Sequence, residues 1–323
     1  MTDGPAVSEY VVEAADQVAD RVRSIVLRPR DGQAPAWQSG AHVRVSLPSG
    51  EDRPYSLVNF APTPGATDAP ETLRLGVLLE EASRGGSAFM HGLAPGDSVR
   101  ISAPANSFPL VASAHAPLLV AGGIGVTPIA SMAAALVAAG ADFRLCYFGR
   151  NASAMAFVPE LEALCGARLH LHRDDADGPP DLAGLMAAHD PRADIYVCGP
   201  RGMIEATRAA VEAAGIAPER LHVELFAPEG PQEGDTAFEV EVSSTGQVFT
   251  IPPGRSIIEV LEEAGLDLMY DCQRGDCGIC QTDVLSGTPD HRDVILTKAE
   301  RDSGKVMQIC VSRALSARLV LDL

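Results

Sequence analysis

Four cysteines crowd the last fifth of this chain, at Cys272, Cys277, Cys280 and Cys310. Their spacing, Cys-x4-Cys-x2-Cys and then 29 residues to the fourth, is that of a plant-type [2Fe–2S] ligand set. A tight loop lets three thiolates wrap a cluster, and the distant fourth closes it from a neighbouring strand. Gly275 and Gly278 let the backbone bend closely and aim N–H groups at sulfur, offsetting the charge of thiolate ligation. Zinc is the rival metal for four thiols, but it prefers paired Cys-x2-Cys knuckles, and one such pair is present. Seven cysteines are an odd number, so complete intramolecular disulfide pairing is impossible. Such crowding in a cytosolic protein favours metal over disulfides.

A second group of residues suits a dinucleotide. Ala121-Gly122-Gly123-Ile124-Gly125-Val126-Thr127-Pro128 follows an apolar run and opens a helical stretch. Glycines permit close approach of a pyrophosphate to the backbone, and a helix N-terminus favours its charge. Pro128 suits the first helical position, where its missing N–H is harmless. The pattern departs from G-x-G-x-x-G, so a plain tight turn is the competing reading. Cys198-Gly199-Pro200 ends a later strand, where ligands of such sheets gather, although Cys198 taken alone reads as a buried inert thiol.

A third group suits a flavin. In Arg53-Pro54-Tyr55-Ser56, at the start of a strand, an arginine can hold a phosphate and an aromatic can cover an isoalloxazine ring. The hydroxyl or a backbone group can reach the ring edge. Ser83-Arg84-Gly85-Gly86-Ser87 would add backbone N–H groups and a hydroxyl for a phosphate. Each is weak alone; their order along the chain gives them weight.

These groups need elements to position them. Residues 8 to about 110 alternate apolar and polar in short runs broken by Gly and Pro, as in Val22–Leu27, His42–Leu47 and Leu73–Leu78. That spacing predicts an antiparallel barrel or sandwich. From Pro117 the pattern changes. Leu118-Leu119-Val120-Ala121 reads as a strand buried on both faces, followed by a helix over Pro128–Ala139 and strands at Phe143–Phe148, Arg168–His172, Ile195–Cys198 and Leu221–Leu225. The alternation predicts a doubly wound α/β domain. Ala227–Asp235 has linker composition. Beyond it come a hairpin, Phe238–Val242 and Gln247–Ile251, and a helix Ser256–Ala264 opened by a Ser256/Glu259 capping box.

Length and composition agree with this division. A chain of 323 residues is long enough for two or three domains, with apolar content and mean hydropathy (+0.08) of a soluble globular protein. No apolar run reaches membrane-spanning length, and the start lacks a secretory pattern, so a cytoplasmic location is expected. A net charge of −18 argues against a nucleic-acid surface. It allows steering towards a basic partner, or is only a soluble acidic surface.

The chain resembles the phthalate dioxygenase reductase family, within the ferredoxin–NADP reductase superfamily, and is similar to vanillate demethylase reductases. The resemblance covers roughly residues 8 to 323. It rests on Arg53-x-Tyr55-Ser56, Gly85-Gly86-Ser87, Gly122-Gly123-x-Gly125-x-Thr127-Pro128, Cys198-Gly199-Pro200, Glu224-x-Phe226 and the four cysteines. Asp290-His291-Arg292-Asp293 and Cys310-Val311-Ser312-Arg313 also fit. The family implies a multidomain fold: an antiparallel β-barrel flavin domain over 1–112, a doubly wound α/β nicotinamide domain over 113–228, a linker over 229–235 and a β-grasp ferredoxin domain over 236–323. It implies FMN rather than FAD, with Arg53, Pro54, Tyr55, Ser56, Val77, Gly85, Gly86, Ser87, Thr127 and Phe226 as contacts. Phe226 as ordinary packing is the competing reading. It implies Gly122, Gly123, Gly125, Thr127, Pro128, Arg150, Cys198, Gly199 and Pro200 at the nicotinamide cofactor. Asn151 stands where relatives can carry an acid for the ribose 2′-hydroxyl, and Arg150 could favour a 2′-phosphate; NADH is expected, with NADPH open.

The implied work is a relay from NADH through FMN to a [2Fe–2S] cluster and on to a Rieske-type oxygenase. The cofactors supply the redox chemistry; the protein positions, tunes and excludes oxygen. No acid, base or nucleophile is required, so no catalytic side chain is assigned, and His170 and His172 read as an exposed strand face. The alternatives are a reductase for a haem monooxygenase, a stand-alone flavin or ferric reductase, and a non-enzymatic iron–sulfur sensor, which the flavin and nicotinamide motifs disfavour.

Overall fold

The alternating runs of the first third become six antiparallel strands. In spatial order they are Asp52–Ser56, His42–Ser46, Ser98–Ser102, Val7–Ala19, Val22–Pro29 and Leu73–Leu78. Leu57 bridges Leu75, which joins the two outer strands and closes the sheet into a barrel. Side chains of alternating positions, among them Ile25, Leu27, Val43, Val45, Leu75 and Ile101, fill the interior. The long strand Val7–Ala19 carries bulges at Val12/Ala14 and Gln17/Ala19, which let it bend around the barrel. This computed structural model describes residues 7–62, 66–67, 70–81, 83, 85–226 and 232–323. The chain divides into two compact units, Met1–His222 and Val223–Leu323.

The α/β region has a five-stranded sheet in the order Leu169–Arg173, Arg144–Gly149, Leu118–Gly122, Ile195–Cys198, Leu221–Glu224. The pairings on either side of Leu118–Gly122 are parallel. Strand order reverses there, so the crevice for a ligand lies beyond the carboxyl end of this strand. All of Leu118–Gly122 and Ile195–Cys198 is buried, as a strand covered by helices on both faces must be.

Several ends differ from expectation by a residue or two. The helix begins earlier, at Val126, after a 3-10 turn over Gly123–Gly125, and ends at Ala138. The second strand begins at Arg144 because the Phe143 N–H donates to Asp142 Oδ1 (3.0 Å), leaving Phe143 to pack in the core. The expected exposed histidine face holds for His170 alone. His172 is half-buried, bonded through Nε2 to the Gly178 carbonyl (2.8 Å), with its ring 5.3 Å from Phe148.

In the second unit the expected hairpin pairs Phe238–Val242 with Val248–Ile251. These strands join a five-stranded sheet completed by Arg318–Leu321, Gln281–Ser286 and Val306–Gln308. The helix is Ile257–Glu263, and both bonds of the Ser256/Glu259 capping box are formed. Its Ile257, Ile258 and Leu261 belong to the core with Val240, Ile251, Met307 and Leu319. Residues 227–231 of the expected linker lie outside the described residues. Its last residue, Asp235, is held by Arg292 (Nη1 to Oδ2, 3.0 Å), which also binds Asp290 (2.7 Å).

Candidate functional site

The flavin motifs converge within the barrel. Arg53 and Tyr55 lie on the strand Asp52–Ser56, and Gly86 begins the helix Gly86–Gly92 that packs beside it. A Cβ on Gly86 would stand 2.8 Å from Arg53 Cγ and 3.3 Å from Tyr55 Oη, so glycine is needed for this approach. Gly85, at φ +94°, supplies the turn. The Ser87 hydroxyl accepts the Glu80 N–H (3.1 Å) and donates to Ser83 Oγ (2.9 Å), which shapes the loop. Arg84 lies outside the described residues. Burial raises the Tyr55 phenol to about 12, keeping it protonated as a donor. Arg53 binds the exposed Glu51 (2.9 Å), a partner that a doubly charged phosphate can displace. Ser56 and Val77 are buried nearby in the barrel wall, Pro54 is half-buried, and His91 Nε2 ties the helix to the Val77 carbonyl (2.9 Å). These residues therefore bring together a cation, a half-buried phenol and a side-chain-free approach, which fit a flavin mononucleotide.

The two nicotinamide motifs are brought into backbone contact. A Cβ on Gly125 would lie 2.2 Å from the Cys198 carbonyl oxygen, and one on Gly199 would lie 2.9 Å from Gly122 Cα. Met203 closes over both, its methyl within 2.7 Å of a Cβ on Gly122 and 2.5 Å of one on Gly199, and Pro200 Cδ stands 2.8 Å from the former. No side chain caps the helix Val126–Ala138; the Val126 N–H donates to the Gly123 carbonyl of the preceding 3-10 turn, which carries the glycine-rich backbone into the helix. Thr127 is buried, with Oγ1 donating to the Ile124 carbonyl (3.0 Å), and Pro128 is buried behind it. Arg150 is exposed just past the second strand. Asn151 Oδ1 accepts the Ala154 N–H (2.9 Å), so this side chain caps the 3-10 turn Ala152–Ala154.

The four cysteines gather in the second unit. Hydrogen bonds from Cys277, then Cys310, hold the Cys272 thiol far below the usual range, and a bond from Cys310 lowers Cys280. Crowded thiols that share protons are set up to be ligands in the deprotonated state. The Arg274 N–H points at Cys272 Sγ (3.3 Å). Gly275 (φ +84°) is obligatory twice over, since a Cβ there would also stand 2.7 Å from Val311 Cγ2. Among the described residues, no three or more His, Cys, Asp or Glu side chains are gathered for a single metal ion. Phe226 is exposed and belongs to this unit.

Beside the loop lies a cluster whose role the sequence did not reveal. Glu224 and Asp276 are buried with Arg274, whose nitrogens lie 3.9 Å and 3.4 Å from them. Burial first, partly offset by Arg274, raises Glu224 to about 8 and Asp276 to about 7. Their signal was present in Glu224-x-Phe226 and in the charged residues between the cysteines. Met203 gave none, because its contact is purely tertiary.

The chain matches the family described as 2Fe-2S iron-sulfur cluster binding domain over residues 240–315, and that described as oxidoreductase NAD-binding domain over residues 119–209. It is 41% identical to tetrachlorobenzoquinone reductase of Sphingobium chlorophenolicum, covering 100% of both chains. It is 40% identical to a vanillate O-demethylase oxidoreductase of Pseudomonas putida, covering 98% of this chain and 99% of that one. Against oxidoreductase NdmD of Pseudomonas putida it is 38% identical over all of its own length but only 55% of the relative's. Among solved structures, phthalate dioxygenase reductase superposes with a TM-score of 0.70 at 33% identity, covering 98% of each chain. A type IV self-sufficient cytochrome P450 monooxygenase superposes equally well (0.70, 33%), with 98% of this chain covering 41% of that one.

Proposed function

Since the chain belongs to the phthalate dioxygenase reductase family, we propose that it is the reductase component of a Rieske-type oxygenase or demethylase, passing electrons from NADH through FMN to its [2Fe–2S] cluster and on to the oxygenase. It works in the cytoplasm, and its domains run 1–112, 113–228 and 236–323. When bound, the nicotinamide supplies electrons in pairs, and the flavin and cluster pass them on singly. The chain supplies the holding and the orientation. Arg53 binds the flavin phosphate, Tyr55 covers the ring with its hydroxyl protonated, and Gly86 leaves room for both. Gly122, Gly123, Gly125 and Gly199 let a pyrophosphate reach backbone N–H groups. Cys272, Cys277, Cys280 and Cys310 hold the irons, with the Arg274 N–H offsetting thiolate charge.

The observation that carries this reading is that Cys272, Cys277 and Cys280 lie on one loop built around Gly275, with the Cys310 thiol within hydrogen-bonding reach of Cys272 and Cys280, in a chain that also holds the paired glycine turns. It is tested by the visible spectrum of purified protein with iron and acid-labile sulfide analysis, before and after anaerobic NADH. Flavin bands over a broad cluster absorbance, both bleaching, are expected. Colourless protein, or zinc in place of iron, refutes it.

A second reading is supported by the full-length likeness to tetrachlorobenzoquinone reductase: a small quinone-like acceptor takes the electrons directly. A haem monooxygenase as acceptor is supported by the likeness to the self-sufficient P450. Assaying Cys277→Ser separates the first from the main reading, because direct transfer to a small acceptor survives loss of the cluster.

A further inference from the structure

Gly76 lies in the interior of the strand Leu73–Leu78, paired with Ser24, where glycine weakens a strand by about 0.5–1 kcal/mol relative to alanine. Its φ is not among the positive values that favour glycine, so the backbone does not require it. Space does. A Cβ at this position would stand 2.6 Å from Thr127 Cγ2, 2.9 Å from Phe157 Cε2 and 3.2 Å from Phe157 Cζ. Two groups of the α/β region thus press against the barrel strand, immediately beside Val77.

Neither group can yield cheaply. Thr127 is 1% exposed and β-branched, and its Oγ1 is committed to the Ile124 carbonyl (3.0 Å), so turning the methyl away would break that bond. Phe157 is 1% exposed, sits in a left-handed conformation (φ 61°) at the head of the helix Val158–Cys165, and packs 5.3 Å from the Phe60 ring. A left-handed phenylalanine is costly backbone, held here by its surroundings.

We propose that Gly76 is a positioning residue for hydride transfer: the missing side chain seats Thr127, at the head of the nicotinamide helix, against the flavin-bearing strand and so sets the spacing between the two rings. This rests on the functional reading above. In the step concerned, a hydrogen with two electrons leaves the nicotinamide, which is oxidised, and reaches the flavin, which is reduced. Such transfer demands close reacting atoms, and a displacement near 1 Å costs about a hundredfold. An added Cβ at 2.6 Å requires a shift of that order to reach an ordinary carbon–carbon contact of about 3.5–4.0 Å.

The test compares holoproteins purified with their cofactors: wild type, Gly76→Ala, and Gly76→Ala combined with Thr127→Ser, which keeps the hydroxyl and removes the methyl. Three readouts are needed: flavin content, the NADH dependence and limiting rate of anaerobic flavin bleaching, and the long-wavelength charge-transfer absorbance of reduced flavin with NAD+. Gly76→Ala is expected to keep its flavin and its half-saturating NADH within about twofold, lose the charge-transfer band, and slow about a hundredfold. The double variant is expected to recover the band and about tenfold of the rate, Phe157 still pressing on the new methyl. Wild-type rate and band in Gly76→Ala overturn the proposal. Loss of flavin, or a double variant as slow as the single, overturns it too. A wild-type protein without flavin, or one that NADH does not bleach, overturns the functional reading itself and the positioning role with it.

Discussion

Asp276 Oδ2 accepts the backbone N–H of Leu225 at 2.7 Å, fastening the cysteine loop to the chain just past the strand Leu221–Glu224. The bond is buried, and the acceptor is the neighbour of Cys277. Replacing Asp276 with Ala strands a buried donor, at a cost of about 1–3 kcal/mol. The expected outcome is a lower unfolding midpoint and reduced iron per chain, with flavin content unchanged. Iron and flavin analysis of the same sample checks it.

Glu224 ties stability to pH. Its carboxyl is raised from 4.5 to about 8, so the fold favours the neutral form. That contribution is complete below the ordinary carboxylate range and is lost as pH rises through about 8. Unfolding midpoints measured from acid to alkaline pH should therefore fall across this window. Glu224→Gln, always neutral, should flatten the decline.

Gly86→Val places branches where Arg53 Cγ already stands 2.8 Å from a Cβ. Purified variant should lose most of its FMN and keep its iron. Gly92→Ala is the control: nothing lies within 4 Å of a Cβ there, so flavin absorbance should match wild type.

Cys277→Ser should lose or degrade the cluster while NADH still bleaches the flavin at near wild-type rate. Transfer to an oxygenase should stop. Cys146→Ser, in the buried strand Arg144–Gly149, should lower stability and leave iron content intact.

Much of this was legible in the sequence, because the informative features are local. The cysteine spacing, the glycine turn ahead of Thr127 and the Ser256/Glu259 cap all lie within short windows where loop and helix chemistry dictate residue types. Strand and helix identities followed from periodicity, and errors of a residue arose where a side chain took over a backbone bond, as Asp142 does at Phe143. What stayed hidden was tertiary. Gly76 reads as a weak strand residue until Thr127 and Phe157 are seen against it, and Met203 is one methionine among eight until it covers Gly122 and Gly199. Asn151 reads as a departure from the acid that would bear on coenzyme choice, and its role in capping a turn shows only in the fold.

The grip of Arg292 on Asp235 bears on how the carboxy-terminal module can be excised. The guanidinium is 7% exposed and divides its hydrogen bonds between Asp235 and Asp290. A fragment cut after Asp235 would leave that buried cation with half its counter-charge, so a stand-alone electron carrier should be trimmed no closer than Gln232, whose own N–H also binds Asp235 (3.0 Å).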